Sequence, residues 1–518
     1  MNIVDLLSNS ADRYAAAVAL IDPDSPHGRR TLTYAQLWEQ VRRYAAGLGE
    51  LGLSPGDRVA LLLANCTEYV VAFLAIASAG MTAVPLNIRL LEGELTHMLR
   101  DSGARLLIAH GEQLSGRPGL SAIPELGVAL VDPVDGQSGS RRFEELKSAR
   151  LLTETRGGGE DTASIMYTSG TTGLPKGVML SHRAWLSVAD KTRSTLDYGP
   201  AEVTLHTAPL THGAGFLLLP TLAVGGVNVV CPRFHPARAL DLFASEGVTN
   251  GFFVPSMIQM LLDQKSDTRR FDALRTIYYA GSPIDPGTLT GALERFGNVL
   301  IQSFGQMEVP MFLTVLDRSD HERIRSQPRS AMARSAGRVV PGVELKIVAD
   351  DGQPCRGDTP GEIVVRGPHM MSGYWHRPDA TADTMRDGWV HTGDVGYFDE
   401  QGYLYLVDRK KDMIISGGSN VYAREVEETL LAHPALKEAA VIGLPDLKWG
   451  ELVCAVLVSH DGSPLADSEL EQYCRETLPD YRRPRRFFWI PALPRNAYGK
   501  VLKRELRQRY ADSGNTTH

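Results

Sequence analysis

"YTSGTTGLPKGVMLSH", Tyr167 to His182, is the stretch from which the rest of this 518-residue chain is read. An apolar run, "ASIMYT", enters a segment of three glycines, three threonines, a serine and a lysine, and a helical pattern starts near Ser181. Small residues let a backbone approach a ligand closely, while amides and hydroxyls supply donors for phosphate oxygens. Lys176 adds a positive charge. The spacing does not fit G-x-x-x-x-G-K-[ST], so a Walker loop is excluded. A Gly/Thr-rich surface turn is the other reading, but such turns rarely combine so many hydroxyls with a lysine.

Outward from this loop, short Val- and Ile-rich runs alternate with helical patterns. Predicted strands include "RLLIAH" (105–110), "VNVVC" (227–231), "GFFVP" (251–255) and "RTIYYAG" (275–281). Predicted helices include "PARALDLFASEG" (236–247) and "DPGTLTGALERFG" (285–297). This alternation implies an α/β fold, with mostly parallel sheets covered by helices. From about Val343, turns separate short strands such as "GEIVVRG" and "GYLYLVDRK", as in a small barrel-like unit. After "DRKKD" the chain restarts as a compact α+β body. The expected division is a large N-terminal domain, 1–410, and a smaller C-terminal domain, 411–518. "TRGGGED" (155–161) reads as a flexible lead-in to the strand before the loop.

Composition excludes several classes. The chain is 43% hydrophobic and 22% charged, with a formal net charge of −7, which disfavours nucleic acid or an anionic membrane as main partner. Its five cysteines are scattered and never form C-x-x-C, which suits a reducing compartment rather than a zinc or disulfide framework. The uncharged stretch Tyr69–Ile88 is interrupted by Gly80, Pro85 and Asn87, and is expected to be a buried helix followed by a strand, not a membrane span. No signal-peptide pattern opens the chain. A soluble, cytoplasmic protein is expected; oligomeric state is not legible.

Five motifs in order resemble the adenylate-forming superfamily, which includes acyl- and aryl-CoA synthetases, peptide-synthetase adenylation domains and luciferases. "YTSGTTGLPKG" resembles its phosphate loop and "YYAGSPI" (278–284) its adenine-binding strand end. "SFGQME" (303–308) resembles the aromatic-Gly-x-Thr-Glu motif, and "HTGDVGYFDEQGYLYLVDRKKD" (391–412) the ribose-binding strand and hinge. "PRNAYGKVLKREL" (494–506) resembles the segment of the catalytic lysine. The resemblance spans essentially the whole chain.

What it implies can be set out residue by residue. Thr168, Ser169, Gly170, Thr171, Thr172, Gly173 and Lys176 would hold the β- and γ-phosphates of ATP. Gly281, Ser282 and Pro283 would line the base, and Phe304, followed by Gly305, would stack on adenine. Asp394 would accept from both ribose hydroxyls and Arg409 would donate to ribose or phosphate. Glu308 would ligate Mg2+, a hard cation that wants oxygen ligands. Lys500 would stabilise the anionic transition state of adenylation, delivered by a mobile C-terminal lid that turns about Lys411. His212, in "PLTHGAGF", would gate the carboxylate. Phe216, Leu217, Phe253 and Met257 either line the acid pocket or are plain core. Met307 stands where the family usually has threonine, which puts a contact to the α-phosphate in doubt.

For the acceptor, "SGGSNVYAREVE" (416–427) resembles the loop lining a pantetheine tunnel, through Gly417 and Gly418. "KWGE" (448–451) resembles a CoA-ligase segment whose tryptophan lies near the CoA nucleotide, which would be the role of Trp449; the other reading is a half-buried packing aromatic. The expected activity is therefore an ATP-, Mg2+- and CoA-dependent acid:CoA ligase. Rivals keep the adenylation and change the acceptor: an amide- or carrier-protein-forming ligase, or a diazotase activating nitrite for an arylamine. The absence from "PLTHGAGF" of the aspartate that captures an amino acid's amine weighs against amino-acid loading. A non-catalytic nucleotide-binding relative is the third class, disfavoured by retention of Lys500, Glu308 and Asp394.

Overall fold

The computed structural model describes residues 1–134, 137, 140–168, 175–328, 330–496, 499 and 501–511. The chain divides into two compact units. One comprises Met1–Leu345, Val365–His391 and Gly402–Leu404; the other comprises Lys346–Val364, Thr392–Gln401 and Tyr405–His518.

The larger unit is built on two sheets. In the first, Val227–Val230, Val203–His206, Asn250–Phe253, Thr276–Tyr279 and Leu300–Gln306 lie side by side in that order, all parallel. Helices Pro236–Ser245 and Pro286–Phe296 connect successive strands, as the alternation implied. "GFFVP" leaves the sheet at Phe253, because Pro255 opens the next helix. In the second sheet, Thr162–Thr168, Thr82–Pro85, Arg58–Leu62, Leu106–His110 and Gly127–Val131 run parallel in that order. In open parallel sheets ligands settle outside the carboxyl ends of the strands. Thr168, His206, Phe253, Tyr279 and Phe304 all stand at or near such ends.

Two expectations are corrected here. The segment after the Gly/Thr loop is a strand, Lys176–Ser181, antiparallel to Thr162–Thr168, and only then does helix His182–Thr195 begin, capped by the Ser181 hydroxyl. The last pair described before the loop is Thr168↔Lys176. "TRGGGED" is held rather than flexible. The Arg156 carbonyl accepts from Asn2 Nδ2 at 3.0 Å, the Gly159 amide donates to the Met1 carbonyl at 3.0 Å, and Asp161 Oδ2 accepts from the Gly158 amide at 3.0 Å.

Tyr69–Ile88 resolves into helix Thr67–Ser78, buried on every face, and buried strand Thr82–Pro85. Among the described residues no helix is long and apolar enough to cross a membrane. Farther along, the short strands Glu344–Val348, Gly361–Arg366, Met385–Arg386, Trp389–Phe398 and Leu404–Arg409 form a five-stranded sheet.

In the smaller unit, Gly450–Ser459 pairs along its length with antiparallel Leu436–Asp446, and its other edge takes Arg486–Trp489 at Cys454–Leu457 and Ile414–Ser416 at Gly450. Alternation along a strand sends Val441, Val453 and Ala455 to one face, where Val426, Leu430 and Leu470 of helices Ala423–Leu431 and Asp467–Thr477 cover them. Ile442, Cys454 and Val456 face the other way, onto Leu506 of helix Lys503–Tyr510.

Candidate active site

The hairpin that carries the Gly/Thr loop is tightly built. A Cβ on Gly177 would fall 2.5 Å from Ile165 Cγ2 and 3.4 Å from Trp375 Cβ, so no larger residue fits between those neighbours. The Gly177 carbonyl accepts from the Trp375 amide at 2.8 Å. Below it, Asp101 gathers three donors: the Tyr167 hydroxyl at 2.7 Å and Arg377 Nη2 at 3.0 Å on its carboxylate, and Trp375 Nε1 at 3.0 Å on its carbonyl. Burial and that carboxylate push the Tyr167 phenol well above its usual range, so it stays a donor. Ser169, Gly170, Thr171, Thr172 and Gly173 lie outside the described residues.

Lys176 places its Nζ 5.0 Å from the centroid of the Tyr374 ring. The Tyr374 hydroxyl donates to Glu308 Oε1 at 2.7 Å. Met307 and Glu308 form the two-residue turn of a hairpin, between paired Gln306 and Val309. The Glu308 carbonyl accepts from the Met371 amide at 2.8 Å, which fixes the turn from the other side. Among the described residues no three His, Cys, Asp or Glu side chains converge as a metal cage. A lone carboxylate beside a phosphate-type loop fits Mg2+, which keeps several waters and takes substrate phosphates as ligands.

Phe304 is half-buried on the strand leading to that turn, and Gly305 lies against the backbone of Met311. Met311 has a φ of +72°, rare outside glycine, and its carbonyl accepts from the Ser303 hydroxyl at 2.8 Å. Gly281, with a φ of +92°, turns the chain sharply at the end of strand Thr276–Tyr279, leaving Ser282 and Pro283 exposed.

His212 precedes the short 3-10 helix Gly213–Leu217. Its Nδ1 lies 2.6 Å from the Thr211 carbonyl, which assigns the proton of the neutral ring to Nδ1, and desolvation lowers its pKa. The loop before it is clamped by Asn65. Asn65 Nδ2 donates to the carbonyls of His206 at 3.1 Å and Ala208 at 2.8 Å, and Oδ1 accepts from the Leu210 amide at 2.8 Å. Phe252 and Phe253 point to opposite faces of their strand. The Phe252 ring lies against Gly213 and Tyr278, whereas Phe253 packs on Phe234 and Phe243. Phe216, tilted against Trp185 with ring centroids 4.3 Å apart, and fully buried Leu217 are core. Met257 is also buried, at 9% exposure.

The smaller unit holds its own candidates. Buried Asp394 faces Arg409, with Oδ1 3.2 Å from Nε, and its amide donates to the Thr392 hydroxyl at 3.1 Å. Exposed Lys411 follows Lys410, which is paired with Asp350 at 2.8 Å. Gly417 and Gly418, with φ of +58° and +80°, make the turn between Ile414–Ser416 and Ser419–Val421. A Cβ on Gly417 would strike the Trp449 ring at 2.9 Å, and the Gly417 amide donates to the Trp449 carbonyl at 2.8 Å. Trp449 also carries two cations, Lys448 Nζ at 5.1 Å and Arg485 Cζ at 5.4 Å from its centroid. Lys500 lies outside the described residues; Gly499, beside it, has a φ of +81° and accepts from Arg495 Nη1 at 2.7 Å.

Asp101, Asn65 and Tyr374 were not singled out from the sequence, because nothing local distinguishes them.

Comparison with known proteins agrees with these motifs along the chain. Residues 7–375 match the AMP-binding enzyme family, and residues 425–500 match the AMP-binding enzyme C-terminal domain. A feruloyl-CoA synthase from Amycolatopsis sp. is 38% identical over 497 residues, covering 93% of this chain and 95% of that protein. Among solved structures, o-succinylbenzoate CoA synthetase from Bacillus subtilis, in complex with its acyl-adenylate intermediate, superposes with a TM-score of 0.84 at 33% identity, covering 97% of each chain. An amide bond synthetase from Marinactinospora thermotolerans gives a TM-score of 0.85 at 32% identity, covering 98% of this chain and 100% of that one. With both of its halves matched in order, the chain belongs to the AMP-binding enzyme family.

Proposed function

We propose that the chain is an ATP-dependent acid:CoA ligase. In the first step a substrate carboxylate oxygen attacks the α-phosphorus of ATP. The Pα–O bond to the β-phosphate breaks, and pyrophosphate leaves with the bonding electrons. In the second, the CoA thiol sulfur attacks the acyl carbon, its proton passes to solvent, and AMP departs.

The observation that carries this reading is the grouping of a cation, Lys176, and a lone carboxylate, Glu308, on a single tyrosine beside the Gly/Thr hairpin. A triphosphate with its metal needs both signs of charge at one place. Glu308 would hold Mg2+, which when bound would supply positive charge against the phosphates. Thr168, Lys176 and the loop between them hold the β- and γ-phosphates. Phe304 stacks on adenine beside Gly281, Ser282 and Pro283. Asp394, oriented by Arg409, accepts from the ribose hydroxyls. Lys500 meets the charge that builds up as the carboxylate closes on the α-phosphate. Neutral His212 gates the carboxylate without adding charge there. Lys411 is the hinge, and 1–410 and 411–518 are the functional domains. Trp449, ringed by Lys448 and Arg485, is suited to stack on the adenine of CoA while cations meet its phosphates. Gly417 and Gly418 leave room for the pantetheine arm.

The test is to incubate the protein with ATP, Mg2+ and a panel of acids, with and without CoA, measuring pyrophosphate and identifying products by mass. Parallel arms supply amines, or nitrite with aminobenzoates. CoA-dependent release of AMP with a thioester product is expected. Release of an amide or a diazo product without any thioester would replace the ligase reading with that acceptor.

A further inference from the structure

Tyr374 touches both charged groups assigned to the nucleotide, and it is itself fixed. It pairs with Val178 across the strand that begins at Lys176, and its amide donates to the Thr381 hydroxyl at 2.9 Å. That hydroxyl in turn donates to the Arg377 carbonyl at 2.9 Å, tying the tyrosine to the helix behind it. Only 7% of Tyr374 is exposed. Its hydroxyl bond occupies one oxygen of Glu308, so the carboxylate cannot spin freely. A phenol bonded to a carboxylate also has a more electron-rich ring, and that face is the one turned to Lys176.

We infer that Tyr374 is a positioning residue for adenylation, which fixes the carboxylate oxygen that Glu308 offers to the divalent cation and holds Lys176 beside the phosphate loop. Cation and triphosphate are thereby coupled through one side chain. The inference rests on the acid-activating reading of this site, since it takes ATP and a metal as its ligands.

The experiment uses the full chain, Mn2+ as a paramagnetic probe and α,β-methylene-ATP as a non-reacting nucleotide, with no acid and no CoA. Tyr374→Phe keeps the ring under Lys176 and removes only the hydroxyl. Its Mn2+ affinity in the ternary complex is expected to fall about tenfold or more, the effect of losing a hydrogen bond to a charged group. Its metal-free affinity for the nucleotide should stay at the parent value. Tyr374→Leu removes ring and hydroxyl, and both affinities should fall. Parent-like Mn2+ binding by Tyr374→Phe, or tighter binding, overturns the inference, even if the variant melts at a lower temperature, because that is the signature of packing alone. Should Tyr374→Leu fail to fold, the cycle of Tyr374→Phe, Glu308→Gln and the double variant decides. Non-additive losses of Mn2+ affinity are expected, and additive ones overturn the assignment. Because neither acid nor CoA enters, failure of the acid panel removes the ligase reading while leaving this result standing, and the reverse also holds.

Discussion

In the proposed reaction, Lys500 and Met307 are the residues on which the chemistry turns. A lysine that acts only on the charge of the adenylation transition state is dispensable for thiolysis. Lys500→Ala is expected to slow pyrophosphate release by about a hundredfold or more, in the range seen when one preorganised donor is lost. The same variant should still convert a supplied acyl-adenylate to thioester; equal loss of both steps would show that Lys500 has another role. Met307 shares its hairpin turn with Glu308, at the position where the resemblance expects a threonine. Met307→Thr is expected to reorder the acids by roughly tenfold in relative kcat/KM, because pocket bulk discriminates on that scale. An unchanged ranking counts against Met307 as a selectivity residue. Charged members of this site were legible in the sequence, since Glu308 and Lys176 stand inside motifs. Tyr374 and Asp101 were not, because Tyr374 finds Glu308 across 66 positions and Tyr167 finds Asp101 across another 66. Local spacing carries no trace of such pairs.

Among the elements, the loop from His206 to His212 is the least self-sufficient. It has no regular structure, and Asn65, 141 positions before His206, satisfies two of its carbonyls and one amide. Asn65→Ala strands these buried groups, each worth about 1–3 kcal/mol when left unpaired. The melting temperature should fall by several degrees, and KM for the acid should rise while KM for ATP holds. A rise in both would place Asn65 in general packing rather than in support of the gate. Strand and helix positions were legible to within a few residues, because their periodicities are strong in "ASIMYT" and "PARALDLFASEG". The hairpin around the phosphate loop was not. "KGVMLS" reads as the run-up to a helix until its partner strand, Thr162–Thr168, is seen beside it.

For the molecule as a whole, acid bears on the larger unit through its buried histidines. Burial lowers the pKa of His182, His206 and His321 to about 4 and that of His369 to about 3. Histidine in an unfolded chain titrates near 6.5. Above that value both states are neutral and these sites leave stability untouched. Between about 6.5 and 4 the unfolded chain binds protons that the folded chain refuses, so stability falls as the pH drops through this window. At pH 5 the loss is roughly 2 kcal/mol per site. Calorimetry from pH 7 to 5 should show a falling melting temperature, with a shallower slope for His206→Gln, which can keep the bond to Asn228. Parallel slopes would remove His206 from this account. The same sheet also dictates an order of events during synthesis. Leu20 and Ile21 pair with Asn228 and Val229, and the Ile3 amide meets His182 Nδ1 across 179 positions. A ribosome must therefore deliver the chain as far as Val230 before the strand begun at Val18 has its parallel neighbour. Until then that apolar edge waits in the open, at the mercy of chaperones and of other nascent chains.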